Sequence, residues 1–494
     1  MLKIAIIGSG ATAVAVHLAI SDSFGLAREI TLFTPLSAIT EDSKSNSDDP
    51  FTKMNSKYLK VLESSFTHSD LVNAMSGSSN FGGWTKFWGA TLLPWHPNIF
   101  KEQNLEISDF NEAYTQLSKI IPQLASPDSF LQKFPIYGPS IPKRANPLAQ
   151  TFVSESSNLS DLLIGNSRLA INGYGKNMSQ GCTDCGECLK GCPGDHIWNA
   201  ARYFKQSYPD TNTVDSWVES IEILPLDVGV RIHYSDKSTQ MHYGDFDRVF
   251  LAAGALSTSQ VLINSRLLAK AVIRDSPVTI VPFISTRFKK LSSTSRITLS
   301  EMFISLNQNQ KSSQHLFMQC YGMSSDLANR ILLEKPFLKI IPKKVLRYFL
   351  NRVAIAMIFQ DMEHGGEILV SKSADGSVRL TELSHRSRLG VLELRSALKK
   401  LRKVHIFPLW AFRHTGRVGE GFHFGASISQ KNHDVDENDA KWLGTLSDSK
   451  RLHIVDSSVL PVIPCYPTTY TTMANAYRIT KCVMQLELSN VTSR

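Results

Sequence analysis

Two parts of the chain have a short run of apolar and β-branched residues that is followed by a glycine turn and a helical pattern. Residues 3–7 read KIAII and lead into Gly8, an apolar helical pattern at 11–20, and a second strand pattern at 29–34. Residues 248–265 repeat the order of strand, glycine turn and helix. This order predicts parallel strands of the Rossmann type.

The pattern changes to antiparallel strands after about residue 277. Residues 278–285, 314–321 and 353–360 each predict a strand, and residues 366–383 predict a hairpin whose turn is Asp375-Gly376. A strand pattern at 453–460 and a helical pattern at 471–488 then close the chain. We therefore predict an α/β fold, in which a discontinuous Rossmann-type domain is accompanied by an antiparallel β-sheet domain.

The composition is that of an ordinary globular protein, with 42% hydrophobic and 20% charged residues. We find no run of about 18 apolar residues and no signal peptide at the N-terminus, so we expect a cytoplasmic protein. The net charge of +9 is local. Residues 326–353 carry seven basic and two acidic side chains, and residues 386–403 carry seven and one. Because no nucleic-acid-binding motif accompanies them, we expect no nucleic-acid partner.

The two basic segments allow two interpretations. The first mixes Phe, Leu and Ile with Lys and Arg, as a segment at a membrane surface does. In the second, an apolar helical stripe lies opposite a basic face, and its members are Val391, Leu394, Leu398 and Leu401. Such helices commonly cover a domain and expose their basic side to water. Peripheral contact with the inner face of a membrane and simple coverage of a domain both remain open.

The first glycine turn fits G-x-G-x-x-A through Gly8, Gly10 and Ala13. The first glycine allows a tight turn, the second lets the backbone approach a pyrophosphate, and the small third residue lets helix and strand pack. The acid that usually ends the second strand is replaced by Thr34, whose hydroxyl forms a weaker hydrogen bond to a ribose. The motif predicts a bound dinucleotide.

A tight cluster of cysteines lies between the two glycine turns, at Cys182, Cys185, Cys188 and Cys192, with a proline after the last. The spacing C-x2-C-x2-C-x3-C-P is that of ferredoxins, which predicts an iron–sulfur cluster. A second run of this kind is missing, so zinc or a purely structural role for the cysteines are the alternatives.

Four blocks make the sequence resemble the glucose–methanol–choline oxidoreductases, in their pyranose-oxidase-like branch. They are GGWTKFWGA at 82–90, RVFLAAGALSTSQVLINS at 248–265, GFHFGASI at 421–428 and LHIVDSSVLPVIPCYPTTYTTMANAYRI at 452–479. The blocks follow the family order across nearly the whole chain. The resemblance implies FAD, a discontinuous FAD-binding domain, an antiparallel substrate domain and oxidation of an alcohol or sugar hydroxyl.

The resemblance also implies a division of the chain. The FAD-binding domain would comprise residues 1–99, 196–275 and 415–494; residues 100–195 would form a cap region with the cysteines, and residues 276–414 the substrate domain. Beyond the first glycine turn, the residues assigned to FAD are Gly82, Gly83, Trp88, Val218, Gly254 and Asp456.

The family's catalytic base corresponds to His423, which lies between Phe422 and Phe424 and precedes Gly425. A histidine is suited to take the proton of a substrate hydroxyl at neutral pH. A hydrogen-bonded core histidine is the alternative. The position of the second active-site residue falls on Pro467, or on Tyr466 with a one-residue shift, so Tyr466 is the candidate partner of His423.

The flavin-attachment histidine of pyranose-oxidase-like relatives is replaced here by Phe87, which predicts non-covalent FAD. If the cysteines hold a cluster, electrons leave singly to a carrier protein, which favours a dehydrogenase over an oxidase. The alternatives are a flavin-binding electron-transfer protein without an alcohol site and a non-catalytic scaffold.

Overall fold

The computed structural model describes the chain except residues 24, 26, 36–79, 87, 145–146, 153–160, 189–191, 288–297, 308–310, 324–339, 351, 429–442, 447–448 and 493–494. The α-helices of the described residues are α1 Ala11–Ser21, α2 Pro97–Glu102, α3 Ile107–Leu117, α4 Pro147–Phe152, α5 Ala200–Ser207, α6 Ala255–Asn264, α7 Lys343–Leu350, α8 Arg388–Leu398 and α9 Thr469–Thr492. The strands are β1 Leu2–Ile7, β2 Arg28–Thr34, β3 Leu162–Asn166, β4 Asn212–Asp215, β5 Trp217–Ile223, β6 Val230–Ser235, β7 Met241–Phe246, β8 Arg248–Leu251, β9 Lys270–Asp275, β10 Val278–Ser285, β11 Met302–Asn307, β12 His315–Tyr321, β13 Val353–Phe359, β14 Glu367–Lys372, β15 Val378–Ser384, β16 Ile406–Pro408, β17 His414–Thr415, β18 Phe424–Gly425 and β19 Leu452–Ile454.

The first sheet is parallel and has the strand order β19-β8-β1-β2-β4. Its central strand β1 buries Ile4 through Ile7, because strands of a parallel sheet are covered on both faces. Helix α1 is buried from Thr12 through Ile20, and it packs against α9 from the other end of the chain. The predicted Rossmann-type, discontinuous domain is therefore confirmed.

The largest antiparallel sheet has the order β16-β10-β13-β12-β11-β3, with β17 also paired to β10. One face packs against α8 and the turn after it, where Leu394, Leu398 and Leu401 are buried. The apolar stripe predicted for the second basic segment thus covers the sheet. Strand β3 at the sheet's edge was not predicted.

Two smaller antiparallel sheets complete the strands of the described residues, in the orders β15-β14-β9-β18 and β5-β6-β7. The predicted hairpin is β14–β15, and Gly376 of its turn has a φ of 87°, which glycine adopts without strain. Strand β18 pairs with the end of β9, which brings Phe424 beside Asp275.

Two predicted elements differ in extent from those observed. Residues 195–206, DHIWNAARYFKQ, predict a helix after the cysteines. The observed helix starts at Ala200, because Asn199 caps it by accepting a hydrogen bond from the Arg202 N–H, and Ile197 before it pairs with Ile171. The strand predicted at 453–460 ends at Ile454, since Asp456 then caps a short 3-10 helix. No helix among the described residues is long and apolar enough to cross a membrane.

Candidate active site

The first glycine turn lies at the carboxyl end of β1, against the end of β8. Gly8 has a φ of 104°, and a Cβ there would lie 2.4 Å from the Ala252 carbonyl oxygen. Only glycine fits this conformation and this close approach. Gly10 caps α1 with an ordinary φ of −77°, without a side-chain hydrogen bond, and a Cβ there would meet no atom within 4 Å. The N-terminus of α1 therefore has open space in front of its amide groups.

Ser9 joins this turn to two other segments. Its hydroxyl lies 2.7 Å from the Thr34 hydroxyl at the end of β2, and it accepts a hydrogen bond of 3.0 Å from the Gly82 N–H. Gly83 packs so closely that a Cβ would lie 3.2 Å from the Gly10 Cα. The structure thus brings the first glycine turn, Thr34 and the Gly82-Gly83 turn together. The Thr34 hydroxyl is hydrogen-bonded to Ser9.

Gly254 and Asp456 meet at the carboxyl ends of the neighbouring strands β8 and β19. Oδ2 of the buried Asp456 carboxylate accepts hydrogen bonds from the Gly254 N–H at 2.8 Å and from the Thr258 hydroxyl. Its Oδ1 accepts a hydrogen bond from the Ser458 N–H. Burial raises the pKa of Asp456, and these hydrogen bonds oppose that rise. Asp456 fixes the second glycine turn beside the first.

Three further residues predicted to contact FAD, Ala13, Trp88 and Val218, lie in or near the segments that carry the glycine turns and Thr34. Ala13 is fully buried in the first turns of α1, as close packing of helix and sheet requires. The Trp88 indole N–H donates to the Trp198 carbonyl oxygen at 3.0 Å, which anchors the segment after the Gly82-Gly83 turn. Val218 lies on β5, three residues beyond Asp215, the cross-strand partner of Thr34. The attachment position, Phe87, lies outside the described residues.

These residues fit a dinucleotide. An uncapped helix N-terminus with open space at Gly10 suits a pyrophosphate, because backbone N–H groups there have no intrahelical partner. The site also lies outside the carboxyl ends of parallel strands, where open α/β sheets bind their ligands. Local packing therefore leaves room where FAD is expected.

His423 follows Phe422, whose φ is 62°, and precedes Ala426, whose φ is 50°. Non-glycine residues rarely adopt such conformations, and they concentrate at functional sites. The half-buried imidazole stacks on Phe359 of β13, with ring centroids 4.7 Å apart. Its Nδ1 is enclosed without a hydrogen-bond partner, and burial lowers the pKa of His423 to about 4. The ring is therefore neutral at pH 7.

The segment carrying His423 is attached to the Asp456 segment. The Ala426 N–H donates to the Ser457 carbonyl oxygen at 2.9 Å, and a Cβ on Gly425 would lie 2.3 Å from that same oxygen. The backbone carbonyl of His423 also accepts a hydrogen bond from the Ser276 N–H. The segment that carries the imidazole is thus held by backbone hydrogen bonds beside Asp456, which contacts the glycine turn at Gly254.

Asp275 at the end of β9 was not found by sequence reasoning. Its carboxylate is buried and accepts the Gly419 N–H at 2.8 Å, and a Cβ on Gly421 would lie 2.1 Å from its Oδ1. Asp275 therefore packs against the backbone that leads into His423. Burial raises the pKa of Asp275 to about 7, although the Gly419 hydrogen bond and the Arg386 guanidinium oppose the rise. An isolated aspartate in a strand gives no sequence pattern that would have identified it.

Tyr466 lies in the interior, between the final helix and the antiparallel sheet. Its hydroxyl is 3.0 Å from the Ser305 hydroxyl and 3.1 Å from Nδ1 of His315. The rings of Phe134 and Phe317 each contact the Tyr466 ring. Phe317 is the cross-strand partner of Phe359, on which His423 stacks. The Phe317–Phe359 pair thus links the surroundings of the two predicted catalytic residues. The role of Tyr466 stays a prediction.

The four clustered cysteines are all free thiols. The Cys182 thiol lies 3.7 Å from Asp184 Oδ1, and the Cys192 sulfur accepts the His196 N–H at 3.3 Å. In the described part of the chain, no group of three or more His, Cys, Asp or Glu side chains is placed to hold a metal ion. As arranged, the cysteines do not form the ligand set of a cluster, so iron–sulfur binding stays a prediction from spacing.

The parallel sheet, the antiparallel sheets and the glycine turns together form a mixed α/β fold that the solved structures of two oxidases share. Pyridoxine 4-oxidase from Mesorbium loti shares it with a TM-score of 0.60 and 11% identity, over 98% of this chain and 99% of that one. A formate oxidase from Aspergillus oryzae RIB40, studied for modification of its FAD, shares it with a TM-score of 0.63 and 11% identity, over 99% of both chains. No protein-family model and no curated protein matches the sequence. The likeness establishes the fold.

Proposed function

We propose that the protein is an FAD-dependent oxidoreductase of the glucose–methanol–choline family, acting on the CH–OH group of an alcohol or sugar. The observation that carries the proposal is the convergence of four distant segments, Gly8 to Gly10, Gly82-Gly83, Gly254 and Asp456, at one edge of the parallel sheet. The two proteins that share the fold are oxidases, and the formate oxidase contains FAD, which supports the same class of chemistry.

The residues that would hold FAD form three groups, which would contact the pyrophosphate, the ribose and adenine, and the flavin. The free amides at the start of α1 would bind the pyrophosphate, with Gly10 giving it room. Thr34 ends β2 and Val218 lies three residues beyond the end of β4, on the side proposed for the ribose and adenine. Gly82, Gly83 and Trp88 would border the flavin. We expect non-covalent FAD because position 87 is a phenylalanine, so acid precipitation should release all of the yellow colour.

His423 is proposed to take the proton of the substrate hydroxyl, while bound FAD would supply the hydride acceptor. A base must be neutral before it accepts a proton, and the lowered pKa of His423 keeps the imidazole neutral at pH 7. Stacking on Phe359 and the backbone hydrogen bond from Ser276 hold the ring in place. Tyr466 is proposed as a second residue that acts through the Phe317–Phe359 pair rather than by touching the substrate.

The test is anaerobic mixing of the purified flavoprotein with a panel of primary alcohols, secondary alcohols and sugars. Oxidation of a substrate bleaches the flavin absorbance near 450 nm, at a rate that saturates with substrate. A positive control with dithionite shows that the flavin can be reduced. A flavin that dithionite reduces, but that no member of a broad panel reduces, contradicts the proposal.

The second candidate is a flavin-binding electron-transfer protein without an alcohol site. It is favoured by the enclosure of the Tyr466 hydroxyl between Ser305 and His315, and by the lack of a functional side chain at Pro467. In this case a reduced carrier protein would bleach the flavin where the substrate panel fails. If the four cysteines acquire a cluster, the same carrier would serve as electron acceptor in the enzyme.

A further inference from the structure

We propose that α7, together with Ile340 just before it, is a docking surface for the headgroup region of an anionic lipid bilayer. The helix runs from Lys343 to Leu350 in the connection between β12 and β13. The proposal concerns where the protein binds, and it does not depend on the proposed oxidation chemistry.

Large apolar side chains are exposed on and beside this helix. Ile340 is 85% exposed, Val345 is 44%, Tyr348 is 56% and Phe349 is 58%. Their spacing puts Val345 and Phe349 one helical turn apart, on the same side. Among the described elements, none packs extensively on α7. Contiguous exposed apolar residues of this size mark an interaction site rather than ordinary surface.

The charge of the segment selects an anionic partner. Residues 340–353 contain Lys343, Lys344, Arg347 and Arg352, and they contain no acidic residue. Arg352 stacks its guanidinium on the exposed Tyr348 ring, 3.7 Å from the ring centroid, which keeps a positive charge beside an aromatic ring. Aromatic and aliphatic side chains beside basic ones are what the interface of an anionic membrane binds.

The other basic helix provides the internal contrast. Helix α8 buries Leu394 and Leu398 against the antiparallel sheet, and Lys400 in the turn after it pairs with Asp161 at 2.8 Å. Its apolar side already has a partner within the protein. In α7 the apolar side chains of Val345, Tyr348 and Phe349 are exposed, and so is Lys344. The two segments look alike in sequence, but only α8 packs its apolar stripe against a sheet.

The experiment uses the full-length flavoprotein and sedimentation with two kinds of vesicle, pure phosphatidylcholine and an equal mixture of phosphatidylcholine and phosphatidylglycerol. We expect binding to the mixed vesicles to be at least about tenfold stronger, and to weaken at 0.5 M salt. Phe349→Ser should reduce binding to the mixed vesicles by about tenfold through lost apolar burial. The pair Lys343→Glu with Lys344→Glu should remove the preference for phosphatidylglycerol.

The matched control is Leu392→Ser, which changes an exposed apolar residue, 62% accessible, on the basic helix α8. It should bind vesicles as the wild type does. Equal binding of the wild type to both vesicles, or equal loss in the Leu392 and Phe349 variants, overturns the proposal. Light scattering tests whether a second copy of the chain covers this surface instead. If Phe349→Ser converts a dimer to a monomer without changing vesicle binding, the surface is an interface between two copies, and the proposal is wrong.

Discussion

Ser9 and Asp456 show how single buried polar groups assemble this site. Ser9 links the ends of β1 and β2 to the Gly82-Gly83 turn, and Asp456 links the ends of β8 and β19. A buried hydroxyl or carboxylate must find partners, and leaving a partner unsatisfied costs about 1–3 kcal/mol. Each group is therefore satisfied by a different remote segment, which fixes the positions of these segments relative to one another.

Replacement of His423 by Ala should slow reduction of the flavin by substrate about 10²–10⁴-fold, the usual contribution of a positioned base. FAD content should not change, because the side chain stacks on Phe359 and not on the glycine turns. Rapid mixing without oxygen measures the rate. His414→Ala, at a half-exposed histidine of the antiparallel sheet, is the control and should react like the wild type. Equal rates for all three proteins would show that His423 is not the base.

Asp275→Asn should change how stability depends on pH. The pKa of Asp275 is raised from 3.8 to about 7, so between these values the folded protein binds a proton that the unfolded chain has lost. Unfolding free energy therefore falls as the pH rises through this range, by on the order of 4 kcal/mol from this one group, and stays flat above pH 7. The asparagine variant lacks that titration, while its side-chain oxygen still accepts the Gly419 N–H.

Urea unfolding at pH 5 and at pH 8 measures this difference. The wild type should lose stability relative to Asp275→Asn as the pH rises. Asp210→Asn, at an exposed aspartate, should follow the wild type. A constant difference between wild type and Asp275→Asn at both pH values would mean that the carboxyl is already ionised at pH 5 in the folded protein.

The first glycine turn, at the scale of an element, combines a packing requirement with a binding requirement. Gly8 is required by its φ of 104° and by the Ala252 carbonyl oxygen, whereas Gly10 has an ordinary φ and a Cβ there would meet no atom within 4 Å. Nothing in the packing of the described residues explains the second glycine. We propose that its lack of a side chain gives room to a ligand that approaches the N-terminus of α1.

Alanine at these two positions should therefore give opposite results. Gly8→Ala should destabilise the fold by roughly 3 kcal/mol or more, because backbone atoms must move. Gly10→Ala should fold with nearly wild-type stability but bind FAD at least about tenfold more weakly, since a methyl group would occupy the space for the pyrophosphate. Chemical unfolding and the ratio of flavin to protein distinguish the two. Full flavin content and unchanged FAD affinity in Gly10→Ala would place the pyrophosphate elsewhere.

The cysteine loop concerns the whole molecule, because it lies in the chain between the Gly82-Gly83 turn and the glycine turn at Gly254. Asp184 in this loop pairs with Arg144 at 3.0 Å, and Cys182 pairs by backbone with Tyr174, so the loop is fixed at its start by residues of the preceding region. The sulfur atoms of Cys182 and Cys192 contact local partners in this arrangement. Binding of a cluster would require them to turn toward a common centre.

If the spacing of the cysteines is that of a cluster site, protein purified without oxygen should contain iron and sulfide and should show a broad absorbance near 400 nm. Combined replacement of Cys185 and Cys188 by Ser should remove all three and retain FAD. Cys482→Ser, on α9, is the control and should leave the iron content unchanged. Absence of iron from anaerobically purified wild type would show that the cysteines are structural.

The sequence by itself determined the elements whose pattern is local. It predicted β1, α1 and β2, the strand–turn–helix at β8 and α6, the hairpin at Asp375-Gly376 and the final helix, because periodicity and turn chemistry act within a few residues of one another. The positions of Gly8 and Gly10 followed for the same reason. The α/β fold class was correct because these elements allow few arrangements.

Only the tertiary structure decided which side chains meet. It paired the Thr34 hydroxyl with Ser9, enclosed Tyr466 between Ser305 and His315, and placed Asp275 against the backbone before His423. These partners are remote in the chain, and polar residues such as Ser and Asp have the same local pattern whether they are exposed or buried. Their burial and their hydrogen bonds depend on the packing of whole sheets against one another, and no window of sequence contains that information.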